Sequence, residues 1–425
     1  MMRKADSLLG YHYYPDDRHF TDNDLNTWLP ILHSLGAKWL TLKGSFRRAI
    51  PEGFIRGLID AGIKPLIHIP SLVVRYQPQS FKTIFNSYAN WGVQSIIVFD
   101  RPNMQMHWDD HTWNRRDLVE RFLDYALPVF QTILSSGMQP VLPPLQPGGD
   151  YWDIAFLEGV LQSFTRRGRN DLLDVLAIST YAWTFDRHLD WGKGGPDKWQ
   201  DVRPYFTPIG SQDQIGFRIF EWYNAIAMKV LGKTLPIFTV AGGVRSDADT
   251  VSEATVEEQT ISIVQLLESG DLPSELCNFA FYLLACDPKH PDYASAWFPS
   301  INDPRHVVHA VQDFVLANEI VTNKNLDHYL LLPESINATE IQDIAAIRAL
   351  VKRENPIIGK SPSAARRAIN VTMLGDKYSI PSSIEMDLLN AGCKVRRLVF
   401  NLPNKNDDEA DYVRSFITRI AGEQT

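Results

Sequence analysis

Val93-Gln94-Ser95-Ile96-Ile97-Val98-Phe99-Asp100-Arg101-Pro102-Asn103 is a short β-branched run that stops abruptly in polar and turn-forming residues. Apolar at successive positions, it reads as a strand buried on both faces, the pattern of a parallel sheet covered by helices. Outward from it, strand-like runs recur at 8–15, 38–44, 64–70, 138–143, 173–181, 235–241 and 276–284. Segments of helical period separate them at about 22–35, 52–61, 80–91, 116–136, 151–165, 214–231, 255–268 and 305–316. Asp22 or Asn23 is the expected cap of the first helix. Gly36, Gly62, Gly92 and Gly137 each stand just past a helix, where a left-handed residue ends it. Eight strands alternating with eight helices over roughly 320 residues fit a (β/α)8 TIM barrel. An open doubly wound sheet is the main alternative. No Gly-x-Gly-x-x-Gly follows any strand, and no cofactor is expected.

The barrel is expected over residues 1–320, with the boundary near 318–325. A small three-layer α/β domain is expected over 326–425, with strands at 328–333, 369–375 and 394–400 and helices at about 339–352, 363–368, 382–391 and 407–420. The 425 residues are 44% hydrophobic and 22% charged, as in a globular protein with a substantial core. A net charge of -8 argues against a general nucleic-acid partner. No apolar run reaches the length of a membrane span, and the first residues lack the apolar core of a secretory signal, so the cytoplasm is the expected location. Cys277, Cys286 and Cys393 follow no metal or redox spacing and are expected to be free thiols.

Three strand ends carry the chemistry. They are Asp100-Arg101-Pro102-Asn103, Asp174-Val175-Leu176-Ala177-Ile178-Ser179-Thr180-Tyr181 and Pro236-Ile237-Phe238-Thr239-Val240-Ala241-Gly242-Gly243. In order and placement they resemble strands four, six and seven of the retaining glycoside hydrolases of the large (β/α)8 clan. That clan reads Asn-Glu-Pro on strand four, Asp-Val-x-x-x-His-x-Tyr on strand six and Pro-Ile-x-x-x-Glu-x-Gly on strand seven. The resemblance covers roughly residues 8–318 and implies a saccharide-binding barrel. It also implies that Arg101 stands at the acid/base position and Ala241 at the nucleophile position. Retaining hydrolysis needs two carboxylates about 5 Å apart. An arginine stays protonated and an alanine offers no nucleophile, so the standard chemistry is expected to be absent. The second domain, from Val371-Thr372-Met373-Leu374-Gly375 to Ala391-Gly392-Cys393-Lys394-Val395-Arg396, loosely resembles cell-wall-binding repeat domains.

Three readings stand open. The barrel binds a saccharide without chemistry; or other carboxylates act, with Asp100 after strand four and Asp287 after strand eight as candidate catalytic residues; or the barrel is a scaffold whose small domain docks a protein partner. Asp16, Asp109, Asp110, Asp150, Asp247 and Asp249 also fall on candidate top-face loops, where an inverting pair about 6.5–9.5 Å apart could form. Lys43, Arg47, Arg48, Arg101 and Arg245 all follow strands, and five cations on one face suit an anionic sugar such as a uronic acid or a phosphorylated glycan. An internal ion network is the competing account of them. The chain holds 11 Trp, 15 Tyr and 21 Phe, and many fall in loops. Tyr13, Lys43, Arg101, Asn103, Trp108, Tyr181, Trp183 and Trp297 are the candidate substrate contacts, because flat rings stack on sugars while their polar edges bond hydroxyls. His107-Trp108-Asp109-Asp110-His111-Thr112-Trp113 places two His around two Asp, yet neighbouring carboxylates on a loop seldom converge on one ion, and no metal is expected. His12 and His68, on strands one and three, stand where they could line the barrel mouth, with satisfied core histidines the favoured reading.

Overall fold

The computed structural model describes residues 7–77, 79–108, 113–114, 116–245, 252–322, 326–333 and 345–399. Asp109, Asp110, His111, Asp247, Asp249 and the expected helix at 407–420 lie outside them. Eight strands close into a barrel in chain order: β1 (Leu9–His12), β2 (Trp39–Lys43), β3 (Lys64–Ile69), β4 (Ser95–Val98), β5 (Gln139–Leu142), β6 (Ala177–Trp183), β7 (Ile237–Gly243) and β8 (Leu276–Phe281). All neighbours pair in parallel, and β1 closes on β8 with Gly10 opposite Ala280. The apolar runs end up fully buried, β4 among them, because helices cover the outside of the ring. Trp39, Leu66, Ile97, Val141, Ala177 and Phe238, from six strands, form one core cluster. Gly10 sits where a Cβ would lie 2.8 Å from that of Trp39, so only glycine allows the two strands to approach so closely.

Two local readings shift. Thr21, not Asp22 or Asn23, caps the first helix (Asp22–Ser34), in a reciprocal box with Asp24. The register between β7 and β8 slips after Phe238, and Asn278 repairs the gap: its side chain accepts from Thr239 N–H at 3.1 Å and donates to Thr239 O at 3.1 Å.

The chain divides into two compact units, Met1–Gln312 and Asp313–Thr425. The second carries a parallel sheet in the order β10-β9-β11-β12, with β9 at Leu326–Leu331, β10 at Ile357–Gly359, β11 at Ala368–Leu374 and β12 at Lys394–Leu398. Alternation puts Tyr329 and Leu331 against Ala365 and Leu388 on one face, and Leu330 and Leu332 against Leu350 on the other. Helices therefore cover both sides, giving three layers. The three-residue β10 had no periodic signature.

Candidate functional site

The site lies past the C-terminal ends of the barrel strands, where β4 delivers Asp100. The backbone there is strained: Phe99 and Arg101, on either side of it, hold positive φ values of 77° and 42°. Non-glycine residues in this region cost on the order of 1–3 kcal/mol each and persist only where the surroundings fix them. Phe99 N–H donates to Ile69 O at 3.0 Å, and Arg101 N–H donates to Pro144 O at 2.9 Å.

So held, Asp100 is almost fully buried. Its Oδ1 accepts from Tyr181 O–H at 2.7 Å and its Oδ2 from Arg101 Nε–H at 2.9 Å. Burial works against the Arg101 charge, but Asp100 outweighs it and keeps the guanidinium pKa above its usual value. Burial and then Asp100 hold the Tyr181 phenol well above the usual range, so it remains an O–H donor. On the same face of β6, the rings of Tyr181 and Trp183 lie parallel, 6.4 Å apart. Arg245 lies 5.3 Å over Trp183, and Tyr282 meets Trp183 edge-on at 5.6 Å while donating its O–H to Asp292 at 2.6 Å.

Imidazoles line the same space. Burial pushes His12 down to about 3, with His68 beside it adding to the effect. It also lowers His68 and His107, partly opposed in each by Asp100. All three are neutral near pH 7. His68 Nε2 meets the carbonyl oxygen of Phe99 at 3.0 Å; a carbonyl only accepts, so the proton is on Nε2 and the lone pair on Nδ1. The Nε2 of His107 is buried with no hydrogen-bond partner among the described residues, 3.9 Å from Asp100.

These groups surround a cavity of about 440 Å³, which Lys43, Gln146, Ala241, His290 and Asp292 complete. A second cavity of about 420 Å³ shares Trp183, Arg245, Tyr282 and Asp292 with it and extends to Trp297 and Arg305.

Of the residues singled out in the sequence, Lys43, Asp100, Arg101, Tyr181 and Trp183 meet in the mouth, with Ala241 at its wall. Arg245 joins them. The remaining candidate substrate contacts and Asp287 lie elsewhere. Tyr13 is fully buried among Tyr14, Phe20, Trp28 and Phe54. Asn103 is a loop staple, donating to Gln146 O and Tyr151 O and accepting from Gln146 N–H. Trp108 is buried and donates Nε1–H to Pro102 O at 2.7 Å, holding its own loop down. Trp297 packs on Tyr11 and Phe281 and reaches only the second cavity. Asp287 is exposed, and its carboxylate accepts from Lys289 N–H within the same turn. Asp292, five residues on, is the acid that this loop supplies to the mouth.

The cations divide as well. Arg47 and Arg48 are exposed away from the cavity lining, Lys43 donates to Pro15 O at 2.6 Å, and among the described residues Arg101 is the one of the five paired with an acid. His12 and His68, for which both a core and a mouth position were read, are buried and also line the mouth. His107 was weighed only as a metal ligand, and Tyr282, His290 and Asp292 went unread as site residues; a strand end followed by Tyr282 was the available signal. Among the described residues no group of three or more His, Cys, Asp or Glu could hold a metal ion. No helix among them is long and apolar enough to cross a membrane.

No family model and no curated protein matches the chain. Solved structures do. A family 39 glycoside hydrolase from the gut symbiont Bacteroides cellulosilyticus WH2 is 15% identical over 72% of this chain and 62% of its own, with a TM-score of 0.47. The family 39 enzyme from Xanthomonas axonopodis pv. citri is 11% identical over 73% of this chain and 66% of its own, with a TM-score of 0.48. A family 128 endo-beta-1,3-glucanase from Sorangium cellulosum is 13% identical over 73% of this chain and 98% of its own, with a TM-score of 0.43. This chain thus spans slightly less than two thirds of either family 39 enzyme. At these identities and scores the fold assignment rests on the closed eight-strand ring itself.

Proposed function

We propose that the barrel mouth binds an anionic saccharide and does not carry out retaining glycoside hydrolysis. The observation that carries this reading is the make-up of the cavity: Lys43, Arg101 and Arg245 stand against Asp100 and Asp292, beside a wall of Tyr181, Trp183 and Tyr282. Among the described lining residues the fixed charges are in positive excess, in a chain whose net charge is -8. Flat rings stack on sugar faces, and guanidinium groups take a carboxylate or phosphate through paired charge-assisted bonds. Arg101 and Ala241, at the two positions where the resemblance puts glutamates, both line this cavity, and neither can protonate a leaving group or attack an anomeric carbon. Hydrolysis through Asp100 and Asp287 finds less support, because Asp100 is engaged by Arg101 and Tyr181 and Asp287 is outside the lining.

A glycan array probed with the full-length chain tests this. Retention of carboxylated or phosphorylated glycans, weakening as salt rises, is expected, as is the absence of any covalent adduct with mechanism-based glycosidase inactivators. Retention of neutral glycans only, or an adduct on an aspartate, refutes it.

A further inference from the structure

The mouth combines fixed cations with neutral imidazoles, while its two carboxylates, Asp100 and Asp292, already accept phenolic O–H groups. We propose, building on the reading that this mouth receives an anionic saccharide, that it cleaves a uronate-containing chain by β-elimination, with Arg101 holding the C6 carboxylate and His68 moving the proton.

Arg101 suits the first role. Asp100 occupies its Nε–H, and the two terminal amino groups make no hydrogen bond within the protein among the described residues. They remain available to a ligand carboxylate in the fork geometry that arginine favours. Neutralising that carboxylate stabilises the negative charge that builds up on it as the neighbouring C5–H is lost. His68 suits the second role because its tautomer is fixed. The bond from Nε2–H to Phe99 O leaves Nδ1 with its lone pair, on a side chain that lines the cavity.

The step is self-contained. Nδ1 of His68 takes the C5 proton, the C5–H electron pair becomes the C4=C5 double bond, and the C4–O4 bond breaks with its pair on O4. The imidazolium then returns the proton to O4. No water, metal or redox partner is consumed. Because one group both takes and returns the proton, C5–H and O4 must lie on one face of the ring. D-mannuronate and D-glucuronate meet that condition, and D-galacturonate does not. The second cavity, sharing Trp183, Arg245, Tyr282 and Asp292 with the mouth, gives a polymer room beyond the cleaved residue.

The test incubates the full-length chain with polymannuronate, a β-1,4-linked glucuronan and polygalacturonate. It follows the ultraviolet absorbance of the conjugated unsaturated uronate and, in parallel, retention of each polymer on immobilised protein. Absorbance is expected from at least one of the first two and not from polygalacturonate. His68→Gln keeps an N–H for the Phe99 carbonyl and should slow the reaction at least about a hundredfold while still retaining polymer. Arg101→Lys, which keeps the charge and loses the fork, should slow it at least about tenfold and serves if the first variant does not fold. Retention of polymer without absorbance overturns the elimination and leaves the binding reading standing; no retention overturns the elimination and restricts the binding reading to phosphorylated glycans. An unchanged rate in either folded variant, or reaction with polygalacturonate alone, overturns the assigned roles.

Discussion

Replacing Asp153 with asparagine tests how far burial governs a carboxylate held inside the barrel unit. Asp153 opens the helix Asp153–Arg166 and is fully buried. Its Oδ1 accepts from Gly148 N–H at 3.1 Å and Gln214 Nε2–H at 2.7 Å, and its Oδ2 from Tyr223 O–H at 3.2 Å. It thereby ties the loop after β5, which carries Gln146, to the helix Ile219–Leu231. Burial nevertheless outweighs these donors and pushes the carboxyl up to about 6 from 3.8. A rise of roughly two pKa units at 1.36 kcal/mol each corresponds to about 3 kcal/mol against the ionised form. Below pH 4 the carboxyl is protonated in both the folded and the unfolded chain, and the cost vanishes. As pH rises from 4 to 6 the unfolded chain releases its proton first, so native stability falls, and the full cost is present by pH 7.

Asparagine carries no charge and can still accept from Gly148 and Gln214, while the Tyr223 hydroxyl turns to accept from its amide. Asp153→Asn should therefore be up to about 3 kcal/mol more stable than the parent at pH 8 and no more stable than it at pH 4. Urea unfolding followed by tryptophan fluorescence at the two pH values reads the difference. A variant destabilised equally at both would mean that the donors, not burial, dominate, and would refute the reasoning.

Tyr181→Phe removes one of the two bonds holding Asp100 and should cost about 1.5–3 kcal/mol, measured by the same unfolding experiment, while also weakening saccharide retention. Trp108→Ala empties a buried site and should cost about 3–5 kcal/mol, yet at a temperature where the variant remains folded its glycan profile should match the parent's. Trp183→Ala, at the cavity wall, should instead weaken retention at least about tenfold in an affinity titration. Asp287→Asn should change neither stability nor retention, whereas Asp100→Asn should weaken retention through a displaced Arg101; equal effects of the two would refute the placement of the acids.

The ring was legible because its signals are local. β-branched runs, helical spacing and terminating glycines depend on neighbours in sequence, and they placed all eight strands and the order in which they close. The strand-four stretch brings Asp100 and Arg101 to the cavity, and Ala241 also lines it. What escaped were short or long-range features: β10, too brief for a period, and Thr21, displaced by better-looking capping candidates beside it.

The residue sequence by itself determined which strand ends carry acids, cations and rings. Only the tertiary structure decided which of those side chains meet. Asp100 and Tyr181 are 81 positions apart and bond because β4 and β6 end at the same level of one barrel. Of two residues equally attractive in sequence, Trp108 folds back on its own loop and Asn103 staples that loop to the one after β5. Asp287 and Asp292 share a loop, yet a turn sends the first to solvent and the second to Tyr282. Strand propensity is encoded by adjacent residues, whereas convergence depends on loop paths fixed by buried hydrogen bonds between distant segments.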